Sequence, residues 1–553
     1  MKKKTYLYII TLLLFLFSKN YLAQDLTLEL TSKNKLDKVF LQKIDYIKKH
    51  KDSLSIKNEA YKISDYLKKV GYFANSIDSI IKSDKNYTIY FSLNEKIEKA
   101  IINIFTTEIE FKNLKIKNNS FSIPIERLQS TLLQISIELD NKGKTFSKVF
   151  LKNIKLKNNI LFADLKILQS KKRTINRVIV KGYDDFPKSY IKNFYNINNK
   201  TIFSKEKISK ITNASKSLRF IKEIKPAEVL FTKDSTLLYM YLKKYKNNSF
   251  DGLINFTSKE NGDIVFNGNL DLKLNNILNK GEKFELFWNS IGDERQEFKI
   301  STEIPYIFNS IITPEISFSI YKQDSTFLNT NFNSKLFYNL NSRAKIAFTY
   351  NSENSENLDK SINNNIKTYS NSFFGFRFEY KTPKNDFFFN DKFSLEVNPS
   401  FGKRKTEDKT STQFKIETSI SYIWDINIRN SIYIRNKIGY LNSDGIIDNE
   451  LYRIGGANTI RGFNEQSIFT NNYTFFNVEY RYLTSQNSYL YSITDFGKIK
   501  TSLNKDNFLG IGLGYLFTTK NSQVNISTIL GKNSIQKFNY EKVKLIINWT
   551  INL

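Results

Sequence analysis

The chain closes on VKLIINWTINL, in which Val543, Leu545, Ile547, Trp549, Ile551 and Leu553 fall on one face of a strand and Lys544, Ile546, Asn548, Thr550 and Asn552 on the other. Side chains alternate across a strand with period two, so the segment describes a sheet with one mainly apolar and one more polar side. The same alternation appears upstream. Phe266, Gly268, Leu270, Leu272 and Leu274 face one way, and Asn267, Asn269, Asp271 and Lys273 the other. From about Ser249 to Leu553 the sequence reads only as strand-like segments separated by Asn, Ser, Asp, Gly and Lys.

A soluble sandwich produces this pattern too, with its apolar side turned inward. Three features favour a membrane wall. Many segments run ten or more residues, longer than the usual strand. Aromatics sit at their ends, as in girdles at a lipid interface. The chain also carries an export signal. MKKKTYLYIITLLLFLFSKNYLAQD has a basic start (Lys2–Lys4), an apolar stretch from Tyr6 to Phe17, and a small residue before a plausible cut at Ala23-Gln24. That stretch is short for a bilayer span and fits a signal peptide over residues 1–24, with the mature chain starting near Asp25. No later run of ~18 apolar residues occurs. A sheet within hydrocarbon must close on itself, because no water satisfies an open edge there. Roughly 300 residues at about 19 per strand and connection predict a barrel of ~16 antiparallel strands over residues 248–553.

The 553 residues contain no cysteine and a single histidine, His50. Disulfides and thiolate metal sites are excluded, and histidine-clustered zinc sites with them. A Ser-His-Asp triad has little to draw on. His50 lies in a charged stretch and reads as a solvated residue. The formal charge of +30 is spread along a Lys- and Asn-rich chain with no dense basic block after Lys4, which argues against nucleic acid as partner.

Between the signal and the barrel, helical and strand patterns alternate with a period of roughly 70 to 75 residues. In the second copy Leu128, Leu132, Ile135 and Leu139 share a helix face, followed by a turn at Gly143, a strand, an Asn158-Asn159 turn and a strand. The third copy starts with the strand Ile175 to Tyr183. Pro187 opens a short helix, and Ser204 caps a second with Ile208, Ile211 and Leu218 inward. Each copy reads as an α+β module of strand, two helices and two strands. The expected bounds are 25–97, 98–170 and 171–247.

One stretch breaks the barrel pattern: RIGGANTIRGFNEQSIF, Arg453 to Phe469. It has adjacent glycines, Gly455 and Gly456, then Ile460-Arg461-Gly462-Phe463. By the strand count about eleven strands precede it and about five follow. Export signal, serial modules, C-terminal barrel and this hydrophobic-Arg-Gly-aromatic signature together resemble the BamA/TamA superfamily. Its modules are polypeptide-transport-associated (POTRA) domains. SITDFGKIK, Ser492 to Lys500, resembles that family's Asp-x-Gly strand through Asp495 and Gly497.

The resemblance implies that the loop folds into the barrel lumen and that its arginine pairs with acidic residues of the wall. Period two points Glu479 inward, because Phe476, Val478, Tyr480 and Tyr482 alternate outward. Asp495 is carried as a partner by the resemblance. In NFLGIGLGYLF, Gly510, Gly512 and Gly514 share the inner face, either to let the loop approach closely or to relieve strain in a bent strand. The implied protein is a non-enzymatic outer-membrane insertase or translocase of TamA type without cofactor, metal or catalytic residues. Its modules stand in the periplasm and receive unfolded clients or a periplasm-spanning partner like TamB. Its first and last strands, the latter Val543 to Leu553, meet at a weak seam in the lipid bilayer. The alternatives are a two-partner secretion pore for one cognate protein and a passive pore-forming barrel. Asp495-Phe496-Gly497 lacks the other kinase elements, and Gly510 to Gly514 lacks the helix a nucleotide loop needs.

Overall fold

The computed structural model describes residues 26–105, 114–245, 247–258, 264–291, 295–359, 365–384, 386, 388, 391–500, 505–520 and 522–552. The expected signal peptide and Leu553 lie outside the described residues. The chain falls into two compact units, residues 1–173 with 202–204, and residues 174–201 with 205–553.

The first unit holds two modules. In the first, Asn34 and Asp52 cap the helices Lys35–Leu41 and Ser53–Lys69, each side chain accepting a hydrogen bond from an orphan backbone N–H. The sheet sets strand Lys49–His50 beside Leu26–Thr31, then Asn86–Ser92 and Ser76–Ser83. Leu28, Leu30, Ile56, Ile63, Leu67, Ile89 and Phe91 form its core. The two-residue strand was not expected, and it explains a correction. His50 is 7% exposed, not solvated, because it sits in that strand with Nε2 2.7 Å from the Ile47 carbonyl.

The second module pairs Ser120–Pro124 with Lys99–Ile104, then Ile160–Leu168 and Lys148–Lys157. One α-helix, Leu128–Asn141, covers it among the described residues, with Ile135 and Leu139 buried and Leu128 and Leu132 packed beside them. The strand Ser120–Pro124 differs from the two-helix expectation; it extends the sheet ahead of the helix.

The second unit begins with the third module. Strand Arg177–Lys181, a helical turn Tyr190–Phe194 and helix Lys205–Ser215 precede strands Ile221–Phe231 and Thr236–Lys244. The helix stops at Ser215, so Leu218 falls beyond it.

Sixteen strands then form a closed barrel among the described residues, each antiparallel to its neighbours. Eleven precede the long connection 444–471, ending with Asn430–Ser443, and five follow it: Asn472–Ser485, Ser488–Lys500, Lys505–Thr518, Ser522–Lys532 and Lys544–Asn552. Alternation sorts the faces. Phe348, Phe374, Phe376, Leu513, Ile547 and Trp549 are exposed on the outside, an apolar belt suited to lipid. Inward residues pair their charges: Lys335 with Glu315, Lys283 with Glu303, and Arg377 with Glu379 and Glu396. Val543 precedes the last strand, which starts at Lys544. Among the described residues no helix is long and apolar enough to cross a membrane.

Strand parity places the 444–471 connection at the end of the barrel opposite the third module. Closure is uneven. The first strand, Ser249–Ser258, meets the last through Ser249 with Asn552 and Phe250 with Ile551. Every other neighbouring pair shares a ladder of eight residue pairs or more.

Candidate functional site

The 444–471 connection departs from strand Asn430–Ser443, makes a short helical turn at Asp448–Glu450, and enters a hairpin of Tyr452–Ile454 with Ile468–Thr470. Its base is tied to the wall by a fully buried pair, Arg404 with Glu450. Arg404 also donates to the carbonyls of Asp444 and Gly445. Asn449 donates to Ser355 Oγ at 2.6 Å and accepts from Asn329 at 2.8 Å.

The tip turns back on Gly455 and Gly456, whose φ values of 105° and 97° favour glycine. A side chain at Gly456 would also strike the Glu465 carboxylate, which accepts from the Ala457 N–H at 3.0 Å. Ile460 then enters an apolar cluster of Ile454, Phe475, Ile499 and Phe508. Phe463 stacks edge-on against Phe508, ring centroids 5.1 Å apart.

Arg461 lies between these apolar anchors. Its Nε and Nη2 donate to the two oxygens of Asp495 at 2.8 and 2.7 Å, and its backbone N–H donates to Asp495 Oδ2 at 2.9 Å. Nη1 donates to Glu479 Oε1 at 2.6 Å. Asp495 is 0% exposed. Planar guanidinium matches a carboxylate bidentately, which a lysine ammonium cannot do. The other Glu479 oxygen accepts from Arg481, Nε at 2.8 Å and Nη2 at 2.7 Å. Two guanidiniums thus offset two carboxylates, and no charge of the four is buried without an opposite.

The structure therefore brings Arg461, Asp495 and Glu479 together. It separates the three inner glycines. A side chain at Gly510 would meet the Arg461 carbonyl at 2.2 Å, so the loop crosses there. Gly512 instead abuts the backbone of Thr528, and Gly514 lies under the Tyr491 ring; these two accommodate neighbouring strands. The rest of the crossing is made by Gly497 under Ile460 and Gly531 under Gly462. Asp495, Gly510 and Gly531 are lateral partners on three adjacent strands, so the loop runs across the strands along a track of small residues.

Sequence reasoning missed several contributors. Arg481 and Asn477 share the inner face of Glu479, and period two could have found them. Asn477 donates to the Thr459 carbonyl at 2.7 Å and accepts from Arg435. The Arg404–Glu450 pair had no local signal.

Beyond the track the tip reaches both flanks of the seam. Asn464 Oδ1 accepts from Lys544 on the last strand at 2.6 Å. Arg295, on the fourth strand Arg295–Glu303, donates to the Glu465 carbonyl at 2.7 Å, and Gln466 donates to Glu297 at 2.9 Å. Among the described residues no group of His, Cys, Asp and Glu could hold a metal ion. What the arrangement does chemically is hold a loop: it neutralises an inserted arginine and fixes the chain on either side of it.

A family model for the haemolysin secretion/activation protein ShlB/FhaC/HecB matches residues 313–517. No curated protein matches the sequence. In three dimensions the chain is similar to CdiB from Acinetobacter baumannii, with a TM-score of 0.51 and 13% identity over 90% of this chain and 97% of that one. CdiB from Escherichia coli gives 0.50 and 14% over 90% and 96%. BamA from Haemophilus ducreyi lacking POTRA domains 1-3 gives 0.44 and 13% over 77% and 93%. The matched region lies within the barrel, and the likeness to the two CdiB structures runs over modules and barrel alike, so the chain shares the fold of those proteins.

Proposed function

We propose that this protein handles unfolded polypeptide clients at the outer membrane and inserts them through its seam, as a TamA-type insertase with its modules in the periplasm. The observation that carries the reading is the closure of the barrel. Two residue pairs join the first and last strands, and above Phe250 the first strand's edge is free of the last among the described residues. An unpaired edge templates an added strand through main-chain hydrogen bonds, independent of client sequence. Burial of apolar client surface in lipid then drives release without nucleotide. The modules offer similar edges, Ser76–Ser83 in the first and Lys148–Lys157 in the second, for clients or a periplasm-spanning partner like TamB. Arg461 and its carboxylates keep the loop inside while the seam works.

A second reading, a two-partner secretion pore for one exoprotein, draws support from the matched secretion/activation model and the CdiB likeness. The resemblance implies two such modules in a two-partner secretion pore, so the three ahead of this barrel weigh toward the insertase. Depleting the protein and surveying the outer membrane separates the readings. Loss of many barrels is the expected result. Loss of one secreted protein means the secretion pore, and no loss at all overturns both.

A further inference from the structure

At the module end of the barrel, the turn 304–311 between the fourth strand and the fifth, Ile312–Gln323, has an unusual backbone. Tyr306 and Phe308 adopt left-handed φ values of 55° and 53°, followed by Asn309 at 58°. Asparagine tolerates this region, whereas bulky aromatic residues rarely enter it and are held there only by their surroundings. The third module supplies the hold. The Tyr190 ring meets the Tyr306 ring edge-on with centroids 4.9 Å apart. Asn193 Nδ2 donates to the Ser310 carbonyl at 2.8 Å. The barrel adds one bond of its own, the Tyr306 N–H donating to Thr313 Oγ1 on the fifth strand at 3.3 Å.

The product of this strain is a phenylalanine held out of the protein: Phe308 is 94% exposed. A backbone forced into a costly conformation to present an apolar ring gains only if the ring enters an apolar medium. We propose that Phe308 is a lipid wedge, presented by the third module to the leaflet on the module side of the membrane. Lipid, not a client, is the occupant because the patch continues the barrel's lipid face without a break. Ile304 opens the turn and Ile312 begins the fifth strand after it, both exposed, and Ile316 and Phe318 carry the same face along that strand. The neighbouring turn presents Leu278, also exposed. The two turns at the same end nearest the seam on its other flank are polar, Gln486-Asn487 and Thr519-Lys520, and the next apolar one, with Ile426 and Ile428 exposed, comes only between the tenth and eleventh strands. The two flanks therefore enter the bilayer to different depths, since apolar side chains draw the turn below the headgroups and polar ones keep it in water.

That this leaflet is the periplasmic one rests on the proposed orientation; the wedge itself does not depend on client handling. The absence of cysteine from the sequence gives a clean test. Full-length Phe308→Cys and Lys520→Cys proteins are labelled with nitrobenzoxadiazole and reconstituted in phosphatidylcholine–phosphatidylethanolamine vesicles, with barrel folding checked by heat-modifiable migration. The label at 308 should emit blue-shifted light and be quenched several-fold more by doxyl phospholipid than the label at 520, which iodide should quench. Iodide quenching at 308 without lipid quenching overturns the wedge. So does shielding that appears only when unfolded polypeptide is added, which would make the turn a client surface. Asn193→Ala should reduce lipid quenching at 308 with the barrel still folded; unchanged depth would overturn presentation by the module. These readouts report depth, so failure of the insertase reading leaves them interpretable.

Discussion

The barrel makes two closures, and they are built in opposite ways. Among the described residues two pairs join the first and last strands at the seam, and the rest of the facing edges is left without a ladder. Beyond the eleventh strand, the luminal loop is fixed by a bidentate arginine, a second carboxylate, a second arginine and an apolar cluster, all withdrawn from water. Backbone pairing is strong only when it is long, because each pair adds little net free energy. A buried charge network is rigid for another reason: removing one member strands the rest. On the proposed mechanism, the short ladder lies where strands would part and the charge network where the chain would stay. The loop tip joins the two systems, touching Lys544 on one flank of the seam and Arg295 on the other.

The contrast breaks most completely if the seam is made permanent. A disulfide between Ser249→Cys and Asn552→Cys should abolish client insertion and be rescued by reductant. A disulfide between Thr418→Cys and Ile438→Cys, partners inside a long ladder, should change nothing. Full activity of the locked seam would remove the mechanism proposed above.

Next comes the lock. Arg461→Ala should destabilise loop docking by ~3–5 kcal/mol, as for other broken buried pairs. The barrel should stay heat-modifiable while protease cleaves within 455–467. Combining it with Asp495→Ala tests the pairing, since partners that act together lose less in the double variant than the sum of the singles. Strict additivity in that cycle would mean that the two do not act as a pair.

The track of glycines should respond more weakly. Gly510→Ala puts a methyl against the Arg461 carbonyl, and overpacking of this kind costs ~1–3 kcal/mol. Gly514→Ala should disturb the Tyr491 ring instead and leave loop proteolysis unchanged. Equal loop exposure in both variants would contradict the separate roles assigned to them.

The smallest effect is expected at the tip. Lys544→Ala removes one hydrogen bond from a partly exposed site, about 0.5–1.5 kcal/mol. It should raise crosslinking of client to the last strand without releasing the loop. Release of the loop by this change alone would reverse the ranking of tip and lock.

Much of this was legible beforehand where period two holds. The strand count on each side of the loop followed from chain length at about 19 residues per strand and connection, and the inward direction of Glu479 from alternation. Asp495 was not readable in that way. Its strand turns Tyr489, Tyr491 and Ile493 inward, against Leu516 and Ile529, so the lumen is locally dry and the polar side of the pattern disappears. The module helices were less legible, because Ser120–Pro124 prefers to extend a sheet whose edge was open.

The sequence by itself determined a closed wall, its approximate strand number, and a loop whose glycines and arginine could not belong to that wall. These are local matters, set by side-chain alternation and by φ values that only glycine adopts readily. Only the tertiary structure decided which glycine lies beneath the loop, that Arg404 meets Glu450 across 46 residues, and that among the described residues the barrel closes through two pairs. Those depend on register and on segments far apart in the chain, where a shift of one residue exchanges the inner face for the outer.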